Sequence, residues 1–142
     1  MRGYLGSFQH QIDEKGRLSL PAQFRRESGD EALVLVHAFP ESLTLYPQST
    51  WTTVEERLRS MMRSSPQARA YVLRVTANAV EVTPDKQGRI LVPQRMQEAV
   101  GIAGPTLVVG VIDRIELWNP ERFAATTSSA ALDENFTHQI FA

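Results

Sequence analysis

Asp13-Glu-Lys-Gly16-Arg17-Leu-Ser-Leu-Pro21 returns further along the chain as Asp85-Lys-Gln-Gly88-Arg89-Ile-Leu-Val-Pro93, displaced by 72 residues. Asp, Gly, Arg and Pro are identical in the two copies. The same displacement carries Gly29 onto Gly101, Leu35-Val36 onto Leu107-Val108, Leu45-Tyr46 onto Leu117-Trp118 and Trp51 onto Phe123. A constant offset held without a gap marks an internal duplication, and a duplication governs how everything else is read. The 142 residues hold either one ordinary domain or two halves of about seventy sharing a core, and the offset selects the second.

Each copy carries the same local signals. Phe8, His10 and Ile12 alternate before the first motif, as Val80 and Val82 do before the second, which is the period of a half-buried strand. Asp-x-x-Gly-Arg then makes a tight turn, because the Asp side chain can bond the backbone downstream and Gly supplies a positive φ. Leu18 to Leu20 and Ile90 to Val92 return as strands. Pro21 and Pro93 start short helices, and Gly29 and Gly101 end them. Two further strands complete each copy: Leu33 to His37 and Leu43 to Tyr46, then Thr106 to Val111 and Arg114 to Trp118.

Between the copies the pattern turns helical. Ser49 or Thr50 is placed to cap a helix through Thr52 to Met62, with Val54, Leu58, Met61 and Met62 as its apolar stripe and Glu55 paired to Arg59. Ser64-Ser65-Pro66 breaks it, and a second helix from Gln67 to about Val75 presents Ala68, Tyr71, Val72 and Val75. After the second copy, Pro120 opens a helix through Arg122, Phe123 and Ala124. The Ser, Thr and Ala-rich tail from Thr126 is expected to be irregular, although Leu132, Phe136, Ile140 and Phe141 suggest docking onto a neighbour.

Composition narrows the class. With 42% hydrophobic and 22% charged residues the chain is globular, with no apolar run long enough to span a membrane and no apolar stretch of the signal-peptide kind at its start. Zero cysteines exclude disulfides, thiolate metal sites and cysteine nucleophiles, and leave a reducing cytoplasm as the default compartment. His10, His37 and His138 are isolated, with no metalloprotease, nucleophile-elbow, phosphate-loop or dinucleotide motif around them, so neither a cofactor nor a small-molecule substrate is expected. A net charge of −1 does not advertise a polyanionic partner. Its distribution is uneven: residues 55–95 carry +4 and residues 96–142 carry −4.

Leu5 to Arg25 and Ala79 to Pro93, with the connector and Arg114-Ile-Glu-Leu-Trp118 in order, closely resemble the MraZ family of bacterial transcriptional regulators associated with the division and cell wall gene cluster. The resemblance covers about residues 3–123. It implies an α+β, mostly β fold in which tandem β-α-β-β repeats of the SpoVT-AbrB type form one swapped-hairpin barrel with flanking helices. The repeats are 5–51 and 77–123, with a helical connector at 52–76 and a tail at 124–142. It further implies a ring-like homo-oligomer that binds repeated boxes in double-stranded promoter DNA, in the cytoplasm and associated with the nucleoid.

By the same resemblance the DNA contacts fall on Lys15 and Arg17 in the first turn and on Arg89 in the second. Gln87 stands where Lys15 stands, and Lys86 brings a cation one position earlier. Asp13, Gly16, Asp85 and Gly88 shape the turns. Arg25 and Arg26 flank the first helix and either contact phosphates or solvate it, the solvated face being the preferred reading, and Gln97 occupies a position where family members often carry Arg. Arg57, Arg59, Arg63, Arg69 and Arg74 read as an exposed or intersubunit helical face. His10 reads as packed or hydrogen-bonded, and Tyr46, Trp51, Trp118 and Phe123 as core. A second reading, from a different class, is a structural or antitoxin-like interaction module with weak DNA binding.

Overall fold

The computed structural model describes residues 3–29, 31–128 and 133–142. In chain order the first half is β1 (Ser7–Gln11), β2 (Arg17–Ser19), α1 (Ala22–Ser28), β3 (Leu33–Phe39), β4 (Ser42–Pro47) and α2 (Gln48–Met61). The second is α3 (Pro66–Asn78), β5 (Val80–Val82), β6 (Arg89–Leu91), α4 (Gln94–Ala99), β7 (Pro105–Val111), β8 (Arg114–Trp118) and α5 (Pro120–Thr127), followed by α6 (Glu134–Phe141).

Leu33-Val-Leu-Val36 does not alternate in polarity, and the packing accounts for it: β3 is covered on both faces. Leu33 and Leu35 enter the main core with Leu18, Phe24, Leu43, Leu45, Ile90, Ile115 and Leu117. Val34 and Val36 face the other way, onto Tyr46 and Trp51, with Val54, Leu58 and Val75 of the two connector helices packed around them. Each fully buried Leu contributes roughly 1.5–3 kcal/mol, so the main core dominates the stability of the fold.

The strands form a six-stranded antiparallel sheet in the order β1-β7-β8-β4-β3-β5, and β2 pairs with β6 as a separate two-stranded ribbon. Pairing crosses between the halves. β1 runs against β7, with Phe8 opposite Val108, and β5 runs against β3, with Val82 opposite Leu33. β4 and β8 join the halves at the centre, Leu43 opposite Leu117. Mixed α and β structure with a dominant sheet matches the sequence reading, but the sheet ends on β1 and β5, so among the described residues no closed barrel is formed.

Helix boundaries differ from the sequence pattern for tertiary reasons. α2 begins at Gln48, after Pro47, with no side-chain cap. The residues expected to cap it lie inside the helix: the Ser49 amide is met by Glu31 Oε1 at 3.1 Å, and the Thr50 hydroxyl donates to the Asp113 carbonyl at 2.9 Å. Arg59 pairs with Glu56 at 2.6 Å rather than with Glu55. α3 is capped by Ser65, which accepts from the Ala68 amide, and runs on to Asn78 with Val72 buried but Tyr71 exposed. In the tail, Asp133 caps α6, whose residues Phe136, Ile140 and Phe141 are all exposed, and the expectation for Leu132 lies outside the described residues.

Candidate nucleic-acid interface

Both Asp-x-x-Gly-Arg segments fold into the same hydrogen-bonded turn. The Asp13 amide donates to the Arg17 carbonyl at 3.0 Å and the Gly16 amide to the Asp13 carbonyl at 3.0 Å. In the second copy the equivalent bonds join Asp85 to Arg89 and Gly88 to Asp85, each at 2.9 Å. Gly16 and Gly88 sit at φ of 84° and 78°, the left-handed region the sequence assigned to them.

The carboxylates organise the rest. Asp13 Oδ1 accepts from the Lys15 and Arg17 amides, and Oδ2 receives the Arg17 Nε at 2.7 Å. Asp85 accepts from the Gln87 and Arg89 amides and receives the Arg89 Nε at 3.0 Å. The backbone N–H of Arg17, then its guanidinium and the Lys15 N–H, hold the Asp13 carboxyl below the usual carboxylate range. The Arg89 amide, its guanidinium and the Gln87 amide do the same for Asp85. Both aspartates are therefore charged at neutral pH, and each guanidinium is held by its Nε edge.

The ribbon then brings the two turns' cations together. Arg17 lies opposite Leu91, Leu18 opposite Ile90 and Ser19 opposite Arg89. Leu18 and Ile90 point into the core, so Arg17, Ser19, Arg89 and Leu91 share the outward face. Arg17 and Arg89 are diagonal neighbours there, roughly 7–8 Å apart by ordinary sheet geometry. Lys15 and Lys86 are exposed on the turns at the two ends of the ribbon. Arg57, Arg59, Arg69 and Arg74 are exposed on the connector helices, as expected of that face, and Arg63 is exposed on the turn between them.

Three residues are not where the sequence placed them: Trp118 and Phe123, read as core, are half-buried against each other outside both core clusters, and Arg25 departs as well. Arg25 is half-buried rather than solvated, and it lies against the second turn: a β-carbon at Gly88 would run into its guanidinium. A helical Arg in one copy packing on a turn of the other leaves no periodic trace in a sequence, so the pattern could not have disclosed it. His10 is hydrogen-bonded, its Nδ1 2.6 Å from the Ser19 carbonyl. Among the described residues no group of three His, Asp or Glu side chains is placed to hold a metal, and no helix is long and apolar enough to cross a membrane.

A family profile described as "MraZ protein, putative antitoxin-like" matches residues 4–74 and again residues 75–140. The chain belongs to the MraZ family. It is similar to the "Transcriptional regulator MraZ" of Thermomicrobium roseum, 40% identical over 130 residues, which is 92% of this chain and 91% of the relative. The protein of the same name in Desulforamulus reducens is 42% identical over 120 residues, 84% of each chain. That of Acetivibrio thermocellus is 34% identical over 139 residues, 98% of this chain and 94% of the relative. The MraZ family match thus spans both turns, the ribbon they flank and the sheet beneath it.

Proposed function

We propose that this chain is a sequence-specific DNA-binding transcriptional regulator of a division and cell wall gene cluster, acting as a ring-like homo-oligomer on repeated promoter boxes. The observation that carries the reading is the shared outward face of Arg17 and Arg89, which belong to turns far apart in the chain. Lys15 and Lys86 add mobile charge at either end. The names borne by the relatives support a regulatory role. A guanidinium fork suits guanine edges and phosphate oxygens, and Lys acts as a point charge on the backbone. A single ribbon offers few contacts, and several held in one assembly engage regularly spaced boxes with multiplied avidity.

In this reading residues 5–51 and 77–123 are SpoVT-AbrB-like repeats joined by a connector at 52–76 and followed by a tail at 124–142. They interleave as swapped hairpins, which the β1–β7, β3–β5 and β2–β6 pairings support. The protein works in the cytoplasm at the nucleoid, without a cofactor.

The test is a binding titration at fixed salt with duplex from immediately upstream of the coding sequence. Arg17→Ala is expected to cost roughly 1–3 kcal/mol of specific binding while light scattering reports an unchanged assembly. Unchanged affinity removes the turn from the interface. A second reading, an antitoxin-like interaction module, is favoured by the exposed apolar residues of α6. Recovery of a stable heterologous partner, together with no salt-sensitive binding to the upstream DNA, selects it instead.

A further inference from the structure

Between α1 and the second turn lies a pocket of about 560 Å³ whose lining includes Arg25, Arg26, Ser28, Thr83, Asp85 and Lys86. Three of these carry positive charge, and none of the three makes an ion pair or a side-chain hydrogen bond among the described residues. The Arg25 Nε is buried with no partner. Buried donors in folded proteins are met by protein or by water, and the protein itself leaves this one free. Among the described residues one carboxylate lines the pocket, and Asp85 is already committed to the amides of Gln87 and Arg89 and to the Arg89 guanidinium.

The other copy supplies the contrast. Gln97 stands 72 residues after Arg25. Its Nε2 donates to the Val92 carbonyl at 2.9 Å, and it approaches Gly16 as Arg25 approaches Gly88. That side chain is neutral and bonded, so the first turn lacks the guanidinium that Arg25 sets against the second.

We infer that the Arg25, Arg26 and Lys86 pocket is a phosphate site, present once per chain, and that its occupant is a backbone phosphate of the bound duplex beside the second turn. The identity of the occupant rests on the DNA-binding reading above, whereas the anion chemistry of the pocket does not. The planar guanidinium of Arg25 lines the pocket and matches phosphate oxygens in geometry, and Arg26 and Lys86 add charge without fixed geometry.

Two measurements decide it, with Arg25→Gln as the main variant because the fold already accommodates Gln at the equivalent position 97. In the first, duplex affinity is followed against salt. Arg25→Gln is expected to weaken binding to the upstream duplex and to an unrelated duplex by the same factor, and to flatten the log–log salt slope by about 0.9 for each chain engaged. Arg25→Lys, which keeps the charge and loses the fork, falls between. In the second, without DNA, inorganic phosphate is expected to raise the melting temperature above that in chloride of equal ionic strength, and Arg25→Gln to lose that increment. General salt effects are common to both proteins. Equal increments in the two proteins overturn the anion site. A lost increment with an unchanged salt slope overturns the backbone assignment and leaves a free phosphate-bearing ligand as the occupant. A wild-type protein that binds no duplex defeats the regulatory reading and the backbone occupant with it, and the melting experiment alone then judges the pocket.

Discussion

The Val92 amide donates to the Gly16 carbonyl at 2.8 Å, and the Leu20 amide donates to the Gly88 carbonyl at 3.0 Å. Each turn is thus fastened by the strand that leaves the other. Arg17 and Arg89 are held by this interlock as well as by their own aspartates.

The interlock makes the two turn glycines unequal. A β-carbon at Gly16 would lie 2.8 Å from the Val92 carbonyl oxygen, which is backbone, whereas at Gly88 the obstacle is the Arg25 side chain from Cδ to the guanidinium, which can shift only by leaving its place on the turn. Gly88→Ala is expected to cost about 1–2 kcal/mol for the left-handed backbone. Gly16→Ala is expected to cost that plus roughly 1–3 kcal/mol of strain. Urea unfolding of both variants measures the gap, and equal midpoints would show that the carbonyl yields freely.

Acid should loosen the turns before the core. The Asp13 and Asp85 carboxyls are held below their ordinary range in the folded chain, so their contribution is present above the unfolded value of about 4 and is lost as pH falls through the folded values. Wild-type stability is expected to decline through that window. The Asp13→Asn, Asp85→Asn double variant should decline less steeply, keeping only a remainder that includes Asp113, which its Arg114 hydrogen bond also depresses. Unfolding midpoints measured across the acid range give the slopes, and parallel slopes contradict the assignment.

Two buried threonines should respond in opposite directions to the same change. The Thr44 hydroxyl is buried without a hydrogen-bond partner, whereas that of Thr106, equally buried, donates to the Gly104 carbonyl at 3.1 Å. Thr44→Val removes an unmet polar group and is expected to stabilise by up to about 1 kcal/mol, and Thr106→Val to destabilise by about 1 kcal/mol. Thermal melts of the two variants suffice, and a loss at Thr44 would mean its hydroxyl is satisfied.

Removing residues 133–142 should leave the unfolding midpoint of dilute protein within about 0.5 kcal/mol of wild type, because every residue of α6 is exposed. A larger loss would place Phe136, Ile140 or Phe141 against the body of the fold.

Features governed by short-range chemistry could be read from the chain alone. Asp13, Gly16 and Arg17 close their turn through bonds spanning at most four residues, so the turn, its glycine and its repetition at Asp85 to Arg89 were all legible. The strands β3 and β4 were legible too, β3 as the short apolar run Leu33 to Val36 and β4 from Leu43 and Leu45 alternating with Ser42 and Thr44. The start of α2 was not, since Glu31 meets the Ser49 amide and Asp113 holds the Thr50 hydroxyl, and neither is near the helix in sequence. Nor was the position of Arg25. Only the crossing of the halves sets α1 beside the second turn, turning a residue that reads as solvated into one lining a cationic pocket. Contacts of that kind depend on which strands pair across the duplication, and strand pairing is a property of the assembled core rather than of any local stretch.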